Sequence, residues 1–229
     1  MMVEPRRQSV GTRQRLAGVA ALCLALAGCS GSSTTAPSAE VQLTTTPNPS
    51  TVGAAVTLTA TLSAVGGAPT GTLTFKDNGQ PLGLPVNVAG ATSLMTSALA
   101  TGTHSLTAVY NGDADFPAAT STPVSQVVNK GPTTTGLTVA QAGAGLPVTF
   151  VATVSAAAAS GSPTGSVTFL SDGATISSAT LIPTGDSVRS TATLTTQNVS
   201  TGSHGFNAAY VGDANSLAST SSTVQVTIQ

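Results

Sequence analysis

Thr101-Gly-Thr-His-Ser-Leu-Thr-Ala-Val-Tyr-Asn-Gly-Asp-Ala114 returns later in the chain as Thr201-Gly-Ser-His-Gly-Phe-Asn-Ala-Ala-Tyr-Val-Gly-Asp-Ala214. Leu106, Ala108 and Tyr110 in the first stretch, and Phe206, Ala208 and Tyr210 in the second, fall on every second position. That period belongs to a strand with one buried face. Two more pairs extend the repeat outward. Val56-Thr-Leu-Thr-Ala-Thr-Leu-Ser-Ala64 matches Val148-Thr-Phe-Val-Ala-Thr-Val-Ser-Ala156, and Pro69-Thr-Gly-Thr-Leu-Thr-Phe75 matches Pro163-Thr-Gly-Ser-Val-Thr-Phe169. The offset grows from 92 to 94 to 100, so the second copy gains residues before Pro163 and between Gly173 and Leu194. Insertions belong in loops, and 174–190 is expected to be one.

The remaining runs are also strand-like. Val56, Leu58, Ala60 and Leu62 alternate with threonines, and β-branched Thr and Val dominate, as strands favour. Asp77-Asn78-Gly79, Asn111-Gly112-Asp113 and Ser171-Asp172-Gly173 supply turn chemistry between the runs. Strands are expected near 41–46, 54–63, 71–76, 82–88, 92–99, 103–110 and 121–129, and the same set again between 134 and 229. No stretch sustains a helical period. The fold class is therefore all-β, a sandwich or small barrel in each copy. Asn129-Lys130-Gly131-Pro132 is the boundary. It is short and stiffened by Pro132, which predicts modules stacked end to end with limited freedom.

The run Pro-Thr-Gly-x-x-x-Phe, followed by Thr-Gly-x-His-x-x-x-Ala-x-Tyr-x-Gly-Asp-Ala, resembles the bacterial immunoglobulin-like repeat domains of secreted and surface proteins. The resemblance covers nearly all of 41–229 and implies two tandem immunoglobulin-like β-sandwich domains, 41–130 and 131–229. The antibody-type Cys…Trp…Cys core is absent, since the chain has no Trp. The second copy departs from the first where Ser216 meets Phe116, which predicts a less well packed corner there. Phe116 itself is the one aromatic expected on a loop.

The N-terminus reads as an address. Arg6, Arg7, Arg13 and Arg15 precede an apolar run from Leu16 to Gly28, too short for the roughly 20 residues that span a bilayer and matching a secretory signal segment. Leu26-Ala27-Gly28-Cys29 resembles the lipobox of bacterial lipoproteins, which implies cleavage before Cys29 and diacylglyceration of its thiol. Two or more acyl chains hold a protein where one holds it only marginally. The expected organisation is a lipoprotein signal peptide at 1–28, then a flexible tether at 29–40 rich in Ser, Thr and Gly. Cys23 leaves with the signal peptide, so no disulfide can form and each module relies on its apolar core. The expected location is the cell envelope, lipid-anchored and facing outside the cytoplasm, at the outer membrane or cell surface.

Composition narrows the function. From Cys29 onward three basic residues (Lys76, Lys130, Arg189) face seven acidic ones (Glu40, Asp77, Asp113, Asp115, Asp172, Asp186, Asp213), spread thinly. Nucleic-acid binding needs a clustered positive surface, so no nucleic-acid partner is expected. Charged residues make up only 7% of the chain, against roughly 25% in ordinary globular proteins, and few groups remain for acid–base work. Nucleophilic activation needs a base and an orienting acid beside the nucleophile. One His and a few turn aspartates per module do not make that arrangement, so no enzyme and no cofactor is expected.

His104 and His204 share strand parity with the core residues and are read as structural, since a single His per module cannot build a zinc site. Tyr110 and Tyr210 are read as core or corner anchors, each contributing about 2–3 kcal/mol by burial. Asp113 and Asp115 are the only calcium candidates. Calcium wants six to eight oxygens, and this loop offers two carboxylates with no following Glu, so a plain turn is the favoured reading. Two functions stay open. The first is a surface-displayed structural or spacer module held to the membrane through lipidated Cys29. The second is an adhesin or ligand-binding module that contacts an extracellular glycan or protein through loops 111–116 and 174–190.

Overall fold

The computed structural model describes residues 37–88, 90–157 and 160–229. The signal-peptide and lipidation readings, Cys29 among them, lie outside the described residues. Among the described residues no helix is long and apolar enough to cross a membrane.

The first module is built from β1 (Ser38–Thr46), β2 (Ser50–Thr51), β3 (Val56–Val65), β4 (Thr72–Asp77), β5 (Gln80–Pro81), β6 (Val86–Asn87), β7 (Ala91–Thr96), β8 (Gly102–Tyr110), β9 (Ala119–Thr120) and β10 (Val124–Asn129). One sheet runs β1-β3-β7 and the other β2-β10-β8-β4-β5, with β6 on β4 and β9 on β8. All pairs are antiparallel except β2 with β10. The second module repeats the plan with β11 (Thr133–Gln141), β12 (Val148–Ala156), β13 (Ser166–Ser171), β14 (Ala174–Thr180), β15 (Ile182–Pro183), β16 (Arg189–Thr196), β17 (Gly202–Tyr210), β18 (Ser219–Thr220) and β19 (Val224–Ile228). Its sheets run β11-β12-β16-β15 and β14-β13-β17-β18, with β19 on β17.

The alternation read in the sequence decides which side chains fill each sandwich. Val56, Leu58 and Ala60 of β3 face Leu73 and Phe75 of β4 and Leu106, Ala108 and Tyr110 of β8 across the first core. In the second, Val148, Phe150, Ala152 and Val154 meet Val167, Phe169, Phe206, Ala208 and Tyr210. Phe150 packs on Phe206 edge-on with ring centroids 5.1 Å apart, and on Phe169 at 5.7 Å. Such pairs add about 0.5–1.5 kcal/mol each beyond area burial. The first module places Leu58 and Leu106 where Phe150 and Phe206 stand, so among the described residues only the second core is knit by aromatic contacts.

Two expectations are corrected. The strand expected over 82–88 is reduced to the two residues of β6, because Pro85 lacks the N–H a ladder needs and Gly83 adds no side chain to pack. Conversely, much of 174–190 is not a loop. The insertion lets the chain complete β14 against β13, with a register shift at Phe169/Leu170 that absorbs one extra residue. Two further residues become β15, paired with β16. Both hairpins turn through left-handed pairs, Asn78-Gly79 (φ 48° and 84°) and Asp172-Gly173 (φ 50° and 84°), the geometry that matches strand twist.

Candidate functional site

The loop between the last two long strands of each module is held by one carboxylate. In the first, Asp113 Oδ2 accepts from the Thr70 backbone N–H (2.6 Å) and hydroxyl (2.8 Å), and Oδ1 accepts from the N–H groups of Asp115 (2.9 Å) and Phe116 (2.7 Å). Asp213 repeats the arrangement with Thr164, Asn215 and Ser216. Hydrogen bonds to the ionised form favour it. The Thr70 N–H and the donors that join it hold the Asp113 carboxyl far below the usual carboxylate range. Burial opposes ionisation of Asp213, but its N–H and hydroxyl donors outweigh burial and bring it down to about 2. Both oxygens of each clamp are engaged inside the protein, and Asp115 stands exposed beside the first. Among the described residues no cluster of three His, Cys, Asp or Glu side chains is placed to hold a metal.

Phe116 is not exposed on its loop: it is 3% accessible and belongs to the first core. The loop turns its ring inward against the position beside Gly67, where the ring lies 3.6 Å from where a Cβ would sit. Ser216 is also buried, with its hydroxyl unpartnered. The second corner is closed by backbone instead, through a bridge between Gly131 and Ser216.

Tyr110 and Tyr210 are core residues, as their parity predicts. Their hydroxyls do not make the backbone bond expected of a corner tyrosine; both are buried without a hydrogen-bond partner. Burial, and then the nearby Asp113 or Asp213 carboxylate, pushes each phenol up to about 12.

The opposite pole of each module carries a His–Asp pair that sequence reading missed. His104 Nδ1 lies 2.8 Å from Asp77 Oδ2, and its Nε2 lies 2.8 Å from the Ala100 carbonyl oxygen. His204 Nδ1 lies 2.7 Å from Asp172 Oδ2, with Nε2 3.1 Å from the Ser200 carbonyl and 3.2 Å from its hydroxyl. The carboxylates are not equivalent: Asp77 precedes its turn pair, whereas Asp172 is the first residue within its own. Asp172 also accepts from the Gly205 N–H, which together with His204 lowers its carboxyl below the usual range. Burial works against a charged His104, but the Ala100 carbonyl and Asp77 outweigh it and its pKa is raised. Asp172 does the same for His204. In the second module this pole is hollowed into a pocket of about 370 Å³ lined by Ser171, Asp172, Thr175, Asn198, Ser200 and His204.

Where the modules meet, the linker is bonded to the 211–218 loop of the second. Gly131 N–H donates to Asn215 O at 2.8 Å, Leu217 N–H donates to Gly131 O at 2.8 Å, and the Lys130 ammonium donates to the Asp213 carbonyl. The body of the first module joins in through the Thr101 hydroxyl, which donates to Ala214 O at 2.9 Å. A Cβ on Gly131 would lie 1.9 Å from Ser160 Oγ and 2.9 Å from Ser160 Cβ, so only glycine fits there.

Among solved structures the chain is similar to the fibronectin(III)-like modules of Clostridium thermocellum CbhA, with 19% identity over 82% of this chain and 94% of that one at a TM-score of 0.33. It is similar to red sea bream transglutaminase at 12% identity, over 82% of this chain and 31% of that one, TM-score 0.34. A third likeness, at 15% identity over 82% and 64% and TM-score 0.32, is to a 1.5-MDa bacterial ice-binding adhesin. The chain therefore spans less than two thirds of the second and third of these. No curated protein matches it. The family model for the bacterial Ig-like domain (group 3), a domain type typical of surface proteins, matches residues 43–129 and 133–229, and no catalytic domain is identified. With both modules matched, the chain belongs to the bacterial Ig-like domain family, group 3.

Proposed function

We infer that this chain is a lipid-anchored cell-envelope protein whose two Ig-like modules act as a non-enzymatic spacer at the surface. In this reading the signal peptide of 1–28 is removed, Cys29 carries the lipid, and the stretch from Cys29 to the start of β1 tethers the modules to an outer membrane or cell surface. It ends earlier than the expected 29–40 because Ser38, Ala39 and Glu40 already pair with Val65, Ala64 and Ser63. The observation that carries the spacer role is the bonded junction. A spacer transmits position only if its joints resist bending, and here Lys130, Gly131 and Thr101 all bond to one loop of the second module. The anchor is tested by palmitate labelling of cells making the wild type or Cys29→Ala. Label on the wild type alone supports it, and equal labelling of both overturns it.

A second reading, a binding module for an extracellular glycan or protein, draws support from the pocket around Asp172, Asn198, Ser200 and His204. It gains nothing from Phe116, which is buried, nor from Asp113, whose oxygens are engaged. Saturable binding of glycans or envelope polymers by the wild type, lost in Asn198→Ala, would favour it over the spacer.

A further inference from the structure

We propose that His104 is a protonation latch on the joint between the modules: the doubly protonated ring holds the Ala100–Thr101 segment against the second module, and the neutral ring lets it go. The ring sits between two atoms that only accept, the Asp77 carboxylate and the Ala100 carbonyl, each 2.8 Å from a ring nitrogen. Holding both requires two N–H groups, which only the imidazolium has. The neutral ring keeps one N–H, and that proton stays on Nδ1 because the Asp77 carboxylate is a stronger acceptor than a neutral carbonyl, so the partner released is Ala100. Ala100 is the neighbour of Thr101, whose hydroxyl is the bond from the body of the first module to Ala214 of the second. Releasing Ala100 therefore loosens the residue that grips the next module.

The second module contains its own control. His204 faces Asp172 and the Ser200 carbonyl in the same way, but the Ser200 hydroxyl lies 3.2 Å from Nε2 and can donate to the neutral ring. That loop is held in either protonation state. Ala100 has no hydroxyl, so the first module lacks this alternative.

The charged groups on neighbouring elements leave Asp77 as the ring's partner. On β4, Lys76 sits opposite Thr107. On β10 the residue opposite His104 is neutral Gln126, and Lys130 beyond its end donates to the Asp213 carbonyl. On β1, Glu40 is exposed, and on β8 itself the other titratable group, Tyr110, lies at the far end. Because the Ala100 carbonyl and Asp77 raise its pKa above 6.5, the release comes at higher pH than for an unperturbed imidazole.

The test follows amide resonances of the 15N-labelled full-length chain in detergent micelles between pH 5 and 9, alongside the His104 ring signal. In the wild type the Thr101 and Ala214 amides should shift with the midpoint of the His104 ring, while the Val199 amide stays still through that midpoint. His104→Gln should abolish the Ala214 shift. Ala100→Ser, which supplies the hydroxyl found at Ser200, should shrink it while His104 still titrates. An Ala214 amide that does not move as His104 titrates, or one that moves equally in both variants, overturns the latch.

Discussion

Thr101 of the first module and Ala214 of the second, 113 residues apart, share a hydrogen bond of 2.9 Å. Thr201, the counterpart of Thr101, is exposed, whereas Thr101 is half-buried. The same Thr-Gly-x-His segment thus serves as a joint in one module and as an open pole in the other.

Gly131 is the tightest point of that joint. Replacing it with Ala drives a Cβ into the Ser160 side chain, and relief requires the linker or the loop to move. Overpacking of this kind costs about 1–3 kcal/mol, to be read as lower stability of the second module in urea unfolding. Gly136→Ala is the control. Its Cβ would meet only Thr153 O, at 3.9 Å, and removing a strand glycine should be neutral or stabilising by about 0.5–1 kcal/mol.

Stability should peak in mildly acidic solution. Asp113, Asp172 and Asp213 have carboxyls lowered on folding, so their contribution is present above the unfolded value of 3.8 and is lost as pH falls toward about 2, the folded value of Asp213. His104 and His204 are raised on folding. Their contribution is complete below 6.5 and disappears as pH rises through the folded values. Melting temperature against pH should therefore be highest between roughly pH 4 and 6.5. A maximum at pH 8 or above would contradict the pairs.

Calcium should not stabilise the 111–116 turn. The Asp113 oxygens already receive the N–H groups of Thr70, Asp115 and Phe116 and the Thr70 hydroxyl, and a cation would have to displace them. Melting with millimolar calcium or with chelator should agree. A rise with calcium that Asp115→Asn abolishes would assign a site there.

Tyr110→Phe and Tyr210→Phe should each change stability by less than about 1 kcal/mol, because each hydroxyl is buried without a partner. Tyr110→Ala, which empties the core position itself, should cost about 3–5 kcal/mol. Chemical denaturation of the four proteins, wild type included, separates the ring from its hydroxyl.

The fold was legible because its evidence is local. Alternation in Val56–Leu62 and Leu106–Tyr110 names the buried face, and Asn78-Gly79 and Asp172-Gly173 name the hairpins. Errors arose where pairing partners decide the outcome. Ala174–Thr180 carries no strong strand pattern, and only the extra length that brings it beside β13 makes it a strand. Val86 and Asn87 look strand-like, yet Pro85 cuts their ladder short. Phe116 does lie on a loop, but its inward turn depends on Asp113 folding the backbone around itself. The His–Asp pairs were hidden because Asp77 and Asp172 do not align: repeat comparison matches Asp77 with Ser171. The shared geometry appears only once the turn is folded against the start of the next strand.

The most direct test of the spacer is whether its two modules move as one body. Residual dipolar couplings on the full-length chain at pH 5.5, with His104 protonated, report the alignment of each module separately. The bonded junction predicts a single alignment tensor that fits amides of 41–129 and 133–229 together, with Gly131→Ala splitting it. Two unrelated tensors in the wild type would contradict the account, since modules that swing freely about Gly131 cannot hold a surface position.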